Sequence, residues 1–216
     1  MRALMIVLLT LLLLPTWPSA QAPAEKTLDV YFIDVEGGHA VLYVSPSGQS
    51  MLVDAGYPGF GGRDADRIVT AATRAGIKQI DYLVVTHYHG DHIGGVPQLA
   101  ARLPIRNFVD HGANSESGER ADALFQPYAQ ARGTGTHIEV KPGDRIPVAG
   151  LTVQVLSAGG ALLNVPIEGG GAPNPLCASF VPMKDETSED AHSVGTIVTH
   201  GKFRLINLGD LSWNQE

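Results

Sequence analysis

The feature that constrains this sequence most is a histidine-rich run directly after an apolar stretch. Tyr82-Leu-Val-Val-Thr86 is bounded by polar residues, which predicts a buried strand. The chain continues as His87-Tyr-His-Gly-Asp-His92, which places three imidazoles and one carboxylate within six residues. Zinc and related transition metals accept these ligand types. The fold must therefore deliver these side chains to one point at a strand end.

Spacing within the run predicts two adjoining metal positions. In extended backbone, residues two apart point the same way, so His87 and His89 are expected to share one ion. Gly90 is expected to provide a sharp turn that aims Asp91 and His92 at a second ion. A solvated histidine-rich loop is the alternative, but so dense a motif after a strand favours metal binding.

The first residues are typical of an export signal. A positive start at Met1-Arg2 is followed by Ala3–Leu14, which is apolar except for one threonine, and then by prolines and small residues. This layout predicts a signal peptide at residues 1–22 and one exported domain at residues 23–216, periplasmic or extracellular. The apolar run is shorter than the roughly 20 residues that span a bilayer. We expect no membrane association after cleavage; an uncleaved anchor is the alternative.

Composition excludes several classes of protein. Among 216 residues, 22 are acidic and 15 basic, for a net charge of −7, so no strong nucleic-acid patch is expected. The single cysteine, Cys177, excludes an internal disulfide and a cysteine-rich zinc finger. A lone cysteine is most often a small buried apolar residue, and we expect this of Cys177.

Strand and helix patterns predict a layered α/β (α+β) domain. Strands are predicted at 28–33, 40–44, 50–53, 82–86, near 108, and at 137–140, 151–155, 194–200 and 203–208. Helices are predicted at 64–75, 96–102 and 121–132. The Gly- and Pro-rich segment 157–175 is predicted to be a long surface loop.

From residue 28 onward, the sequence resembles the metallo-β-lactamase-fold hydrolases. Beside the histidine–aspartate run, Leu52-Val-Asp-Ala-Gly56 and Leu208-Gly-Asp210 match that family. The opening Phe32-Ile-Asp-Val-Glu-Gly-Gly-His-Ala-Val-Leu42 is most similar to the branch with the extracellular domain of the DNA-uptake competence protein, which usually has an aspartate in place of His39. The resemblance implies an αββα sandwich with metals at one edge of its sheets.

The resemblance also implies a role for each candidate ligand. His87 and His89 would bind the first metal, Asp91 and His92 the second, and Asp210 would bridge the two. Two divalent ions are implied, zinc foremost, with manganese or iron also compatible. Asp91 would be catalytic as well, orienting the shared water and taking its proton.

Two aspartates have alternative roles. Asp54 either accepts a hydrogen bond from a ligand imidazole or only stabilises the turn before Gly56. Asp210 follows a strand, where a buried carboxylate is costly unless a cation meets it, so physical reasoning also favours a metal there. Capping of a turn is the alternative for Asp210.

The third ligand of the first metal is open. The family places a histidine just before the late hairpin, and this sequence has none at that position. The nearby candidates are Glu189, Asp190 and His192.

His111 is expected to be structural, with a substrate donor or proton relay as the alternative. His137 and His200 lie in predicted strands and are expected to be structural.

These expectations favour an exported hydrolase in which two metals share one water and activate it as hydroxide. A phosphodiester or related ester is the favoured substrate. The alternatives are hydrolysis of a lactone or β-lactam, and a metal-binding module without catalysis. Basic residues around Arg63–Arg67 and Arg102–Arg106 would favour a nuclease, and a narrow apolar cleft a β-lactamase.

The end of the sequence predicts a C-terminally incomplete version of the fold. The resemblance implies a further helix or strand and a late histidine, but only Leu211-Ser-Trp-Asn-Gln-Glu216 follow Asp210. We therefore expect an uncovered apolar sheet face, tighter binding of the first metal than of the second, and weak activity. A small natural variant with a mononuclear site is the alternative.

Overall fold

Two β-sheets form the centre of the computed structural model, which describes residues 27–184 and 187–215. The first sheet has its strands in sequential order: β1 Asp29–Phe32, β2 Val41–Val44, β3 Ser50–Val53, β4 Ile80–Val84, β5 Ile105–Asp110 and β6 Thr136–Glu139. The second has the order β11-β10-β8-β7, with β9 beside β8: β7 Arg145–Ile146, β8 Thr152–Ala158, β9 Ala161–Leu162, β10 Gly195–His200 and β11 Phe203–Asn207. The predicted signal peptide lies outside the described residues.

The α-helices among the described residues pack against the first sheet and share one apolar cluster with it. They are α1 Arg63–Arg74, α2 Gly90–Ile93, α3 Val96–Ala100 and α4 Glu119–Arg132. Helix α1 buries Ile68 and Ala72 on one face and ends before Gly76, whose φ of 73° suits the left-handed position after a helix. Among the described residues, no helix has the length and apolar character needed to cross a bilayer.

Apolar side chains fill both faces of the first sheet. One face packs with the helices around Leu83 and Phe108. The other packs against the second sheet, where Val53 meets Val153 and Val198 in a second apolar cluster. The mixed α/β architecture predicted from the sequence is therefore confirmed.

Strand direction fixes where the functional loops lie. Strands β3, β4, β5 and β6 are parallel, so their carboxyl ends share one edge of the first sheet. Asp54 follows β3, the histidine run follows β4, and His111 follows β5. Loops at this edge of α/β sheets are the usual place for ligands.

The second sheet exposes apolar side chains on β11. Ile206 of β11 is 54% exposed, and beside it lies a hollow of about 410 Å³ lined by Leu163, Ile167 and Leu208.

Two sequence predictions are wrong in this region. Strand β8 continues to Ala158 and pairs with β9, because Gly159 and Gly160 both take positive φ and form a two-residue hairpin turn; the loop therefore begins later than expected. Cys177 is exposed rather than buried, because its short 3₁₀-helix, Pro175–Ser179, has no buried residue.

A buried carboxylate ties α4 to the first sheet. Asp110 accepts hydrogen bonds from Tyr128 Oη at 2.5 Å, Arg132 Nη1 at 2.9 Å and His137 Nε2 at 2.8 Å. Burial opposes its ionisation, but these donors and the Gly112 N–H outweigh burial and lower the pKa of Asp110. His137 is therefore structural, as predicted.

Asp110→Asn is expected to lower the free energy of unfolding at pH 7 by about 3 kcal/mol, because Arg132 and its neighbours lose a charged acceptor. Urea denaturation measures this loss. Because the native pKa is depressed, the contribution exists above the unfolded pKa and disappears as pH falls, so the difference from wild type should shrink in acid. The exposed change Asp122→Asn on the same helix is the control. Equal stability of Asp110→Asn and wild type at pH 7 would contradict this assignment.

Candidate metal centre

Three imidazoles meet beyond the end of β4. The rings of His87 and His92 are buried, with centroids 4.1 Å apart. The half-exposed His89 ring lies 4.7 Å from that of His87, and His87 Nε2 is 3.1 Å from His89 Nδ1. The two-residue spacing thus brings both nitrogens to one point, as predicted.

Gly90 does not make the sharp turn predicted for it. Its φ lies outside the left-handed region, and it begins α2, so a helical turn positions Asp91 and His92. A Cβ at Gly90 would lie 3.2 Å from Leu124 of α4. Glycine here provides space between two helices rather than backbone freedom.

Each imidazole is held through its outer nitrogen. The pairs are His92 Nδ1 with Asp54 Oδ2 at 2.8 Å, His87 Nδ1 with Thr86 Oγ1 at 3.1 Å, and His89 Nε2 with Glu116 Oε1 at 3.2 Å. A hydrogen bond at one ring nitrogen places the proton there and leaves a lone pair on the other. In the neutral form of each ring the inner nitrogen can therefore bind a metal ion, and this donor set fits one.

Asp54 organises this arrangement from beneath. It is fully buried with a φ of 59°, a conformation that aspartate tolerates better than most residues. The Thr86 N–H donates to Oδ1 at 2.8 Å, and Oδ2 accepts from the Thr86 hydroxyl at 2.8 Å and from His39 Nδ1 at 3.0 Å, besides His92. Burial alone would raise the pKa of Asp54, but the two histidines lower it far below its usual range. Of the two interpretations for Asp54, the bond to a candidate ligand imidazole is present.

Two aspartates face His92. Asp210 Oδ1 lies 3.4 Å and Asp91 Oδ2 3.7 Å from His92 Nε2. One donor atom each from His87, His92 and Asp210 lies within 4.8 Å of the others. The Asp210 side chain is 51% exposed, so the expectation that burial forces it toward a cation is wrong; its place follows from the end of β11.

A third aspartate faces the other two imidazoles. Asp190 Oδ1 lies 2.9 Å from His89 Nδ1 and 3.3 Å from His87 Nε2. Donor atoms of these three residues also lie within 4.8 Å of one another. His192 instead places Nδ1 3.0 Å from the Ser188 carbonyl. Of the three candidates for the missing histidine, Asp190 is the one that lies against the histidine pair.

Glu189 has a structural role. Its buried carboxylate accepts hydrogen bonds from His111 Nε2 at 2.9 Å, the Tyr88 N–H at 3.1 Å and the Ser115 N–H at 2.6 Å. Burial opposes its charge, but the His111 and Ser115 donors prevail and lower the pKa of Glu189 to about 2. His111 is thus a hydrogen-bonded structural histidine, as the sequence favours.

Burial and nearby charges shift the pKa values of two of the imidazoles in opposite directions. Burial, reinforced by His92, lowers the pKa of His87 to about 4. Burial also disfavours the charged form of His92, but Asp54 and Asp210 outweigh it and raise the pKa of His92 to about 10. Without metal, His92 therefore holds a proton that an incoming ion has to displace.

Metal binding at pH 7.5 is expected to release about one proton from His92 for each ion bound at its Nε2. Affinity for Mn²⁺ should rise with pH while pH stays below the raised pKa of His92, because the proton leaves more easily. Calorimetric titration in two buffers of different ionisation enthalpy counts the protons released. Binding without proton release across pH 6.5–8.5 would contradict the charge state assigned to His92.

Glu116 is a candidate positioning residue that sequence reasoning missed. It lies in the loop after β5, in an Asx turn in which its N–H donates to Asn114 Oδ1 at 2.9 Å. Nothing in the spacing of the sequence connects this loop to the histidine run. Only the parallel arrangement of β4 and β5 brings Glu116 beside His89.

Glu116→Ala is expected to weaken metal binding about 10- to 100-fold, because His89 loses the acceptor that fixes its proton on Nε2. A competition titration with a chromogenic chelator measures the change. Glu119→Gln, an exposed acidic position just along the chain, is the matched control and should bind as wild type does. Unchanged affinity in Glu116→Ala would remove Glu116 from the site.

A groove leads away from the metal centre. It has a volume of about 830 Å³ and runs from His89 and Asp91 past Tyr57 to the first turns of α4. Arg120 is the one lysine or arginine among the described residues that line it. Lysine and arginine thus contribute a single positive charge to the described lining of the groove.

Sequence comparison agrees with this geometry. Residues 33–201 match the profile of the Metallo-beta-lactamase superfamily. The chain belongs to this superfamily. It is the superfamily predicted from the histidine–aspartate run, and its members include metal-dependent hydrolases.

Two kinds of curated relative are similar to this chain. A hydroxyacylglutathione hydrolase from Rhodopseudomonas palustris (strain HaA2) is 34% identical over 124 residues, which cover 57% of this chain and 39% of the relative. A ribonuclease Z from Bradyrhizobium sp. (strain ORS 278) is 29% identical over 126 residues, covering 58% and 38%. The chain thus spans about two fifths of the length of these relatives.

Solved structures show the same fold. A HARLDQ-motif metallo-β-lactamase variant from Cronobacter sakazakii superposes with a TM-score of 0.53 at 21% identity, over 82% of this chain and 59% of that one. The Rm3 metallo-β-lactamase gives 0.50 at 17% identity, over 88% and 62%. At these identities the likeness concerns the fold.

Proposed function

We propose that this chain is an exported, metal-dependent hydrolase that cleaves a small acyl ester or thioester. The observation that carries the proposal is the orientation of the three imidazoles. Each has its outer nitrogen bonded to an acceptor, and each turns its inner nitrogen toward Asp190, Asp210 or Asp91. A merely solvated histidine loop has no reason to fix three rings in this way.

The residues of the centre have distinct tasks. Metal ions held by His87, His89, His92 and the facing aspartates would activate water and polarise the scissile carbonyl. Asp91 lines the groove, its side chain is 29% exposed, and its Oδ2 lies 3.7 Å from His92 Nε2. From there it orients the attacking water, accepts its proton and returns that proton to the leaving group.

Charge pairing favours a small substrate over a nucleic acid. The arginines that would mark a nuclease groove are all paired with carboxylates: Arg63 with Glu36, Arg67 with Asp34, Arg102 with Asp66, and Arg106 with Asp81. Their charge is therefore largely neutralised. The similarity to hydroxyacylglutathione hydrolases supports a thioester substrate in particular.

A phosphodiester is the second candidate substrate. It is supported by the similarity to ribonuclease Z and by the resemblance of the segment around His39 to the competence-protein branch. Export is the part of the proposal that rests on residues 1–22, and N-terminal sequencing of the mature protein tests it.

Purified protein loaded with Zn²⁺ or Mn²⁺ is expected to hydrolyse S-lactoylglutathione faster than bis-p-nitrophenyl phosphate or a chromogenic cephalosporin. His89→Ala and Asp91→Ala are each expected to lower kcat by at least about 100-fold, because one disturbs the metal ligands and the other removes the proton acceptor. Initial rates at pH 7.5 on the three substrates provide the comparison.

Glu119→Gln is the control for these rates and should match wild type. Faster turnover of the phosphodiester would replace the thioester proposal with the second candidate. If wild type, His89→Ala and Asp91→Ala all give the same background rate while metal is bound, the chain is a metal-binding module and not an enzyme.

A further inference from the structure

We propose that Asp190 is the third protein ligand of the first metal position and that it moves the preference of this position from Zn²⁺ toward Mn²⁺. The inference rests on the metal-binding part of the proposed function. It concerns which ion the centre prefers, a property that the family resemblance leaves open.

Position is the first argument for Asp190. Its Oδ1 lies 2.9 Å from His89 Nδ1 and 3.3 Å from His87 Nε2, and these two nitrogens are 3.1 Å apart. The three atoms thus form a compact triangle, each presenting a lone pair to the same side once the ring protons are on the outer nitrogens. Three ligand atoms gathered this closely, two imidazole nitrogens and one carboxylate oxygen, match the protein side of a metal site.

Hydrogen bonds of the residues on both sides of Asp190 fix its backbone. The residue lies in a short 3₁₀-helix, Glu189–His192, capped by Ser188, whose Oγ accepts the Asp190 N–H at 3.3 Å. On one side, Glu189 is buried and bonded to His111 and Ser115. On the other, His192 is bonded to the Ser188 carbonyl. Glu189 and His192 therefore fix the direction in which Asp190 points.

A backbone hydrogen bond joins the segment after this turn to the residue before the histidine run. The Val194 N–H donates to the Thr86 carbonyl at 2.8 Å, which joins the start of β10 to the residue before His87. Asp190 is thus held close to His87 through the backbone of both sheets. A loose surface carboxylate would lack this connection.

The chemical consequence follows from the donor types. With Asp190, the first position has two imidazoles and one carboxylate, and the second has His92 with Asp91 and Asp210. Imidazole nitrogen suits Zn²⁺, whereas carboxylate oxygen suits harder ions such as Mn²⁺. Replacing a neutral imidazole by a carboxylate also adds a negative charge. The ratio of the Mn²⁺ and Zn²⁺ dissociation constants should therefore be smaller than for a site with three histidines.

The test compares wild type with Asp190→His and Asp190→Asn. Dissociation constants for Mn²⁺ and Zn²⁺ are measured by chelator competition, and Mn²⁺ binding is followed separately by electron paramagnetic resonance. Asp190→His is expected to raise the ratio of the Mn²⁺ constant to the Zn²⁺ constant at least tenfold. Asp190→Asn is expected to weaken binding of both ions at one of the two positions. Glu119→Gln should leave the ratio unchanged.

Asp190→Glu controls for an effect on folding, because it keeps the carboxylate. Circular dichroism checks each variant, and a wild-type ratio in Asp190→Glu beside a raised ratio in Asp190→His supports the proposal. An unchanged ratio in Asp190→His overturns it, while the proposed function survives. If wild-type protein binds neither ion, the proposed function itself fails.

Discussion

The hydrogen-bonded carboxylate of Asp54 is the interaction on which the rest of the centre depends. It ends β3, receives the Thr86 N–H from the end of β4, and orders His92 and His39 around one oxygen. Because Asp54 is buried, its charge is tolerated only with these donors in place. The same Thr86 hydroxyl that donates to Asp54 lies against His87, so one carboxylate orients two of the three imidazoles. The position of the rings is therefore set by the first sheet.

The second sheet contributes the opposing negative charges. Asp190 precedes β10 and Asp210 follows β11, so one hairpin delivers a carboxylate from each of its ends. Glu189, next to Asp190, is directed away from the metal centre into a buried contact with His111. Two adjacent acidic residues thus have separate tasks, one joining the sheets and the other facing the imidazoles.

Local patterns in the sequence predict the fold, and they predict that three histidines come together at one strand end. Apolar runs mark the strands, and the run from His87 to His92 identifies the centre because its residues are adjacent in the chain. Contacts between distant segments escape such patterns: Glu116 reaches His89 only because β4 and β5 are parallel neighbours. The choice among Glu189, Asp190 and His192 likewise depends on how a short 3₁₀-helix is anchored. The prediction of a buried Cys177 is wrong, because the burial of a cysteine depends on its surroundings and not on its residue type.

The division of the candidate metal ligands between the two sheets has a consequence for the stability of the chain. A metal ion held by His92 and Asp210 would join points separated by more than half of the chain, and so would close one very long loop. The entropy cost of closing a loop grows with the logarithm of its length. A cross-link between such distant points therefore removes more conformational freedom from the unfolded chain than a cross-link between near neighbours would. The ions would then cross-link the two sheets. Their loss would loosen the hairpin of β10 and β11 before it loosened the parallel strands around Asp54.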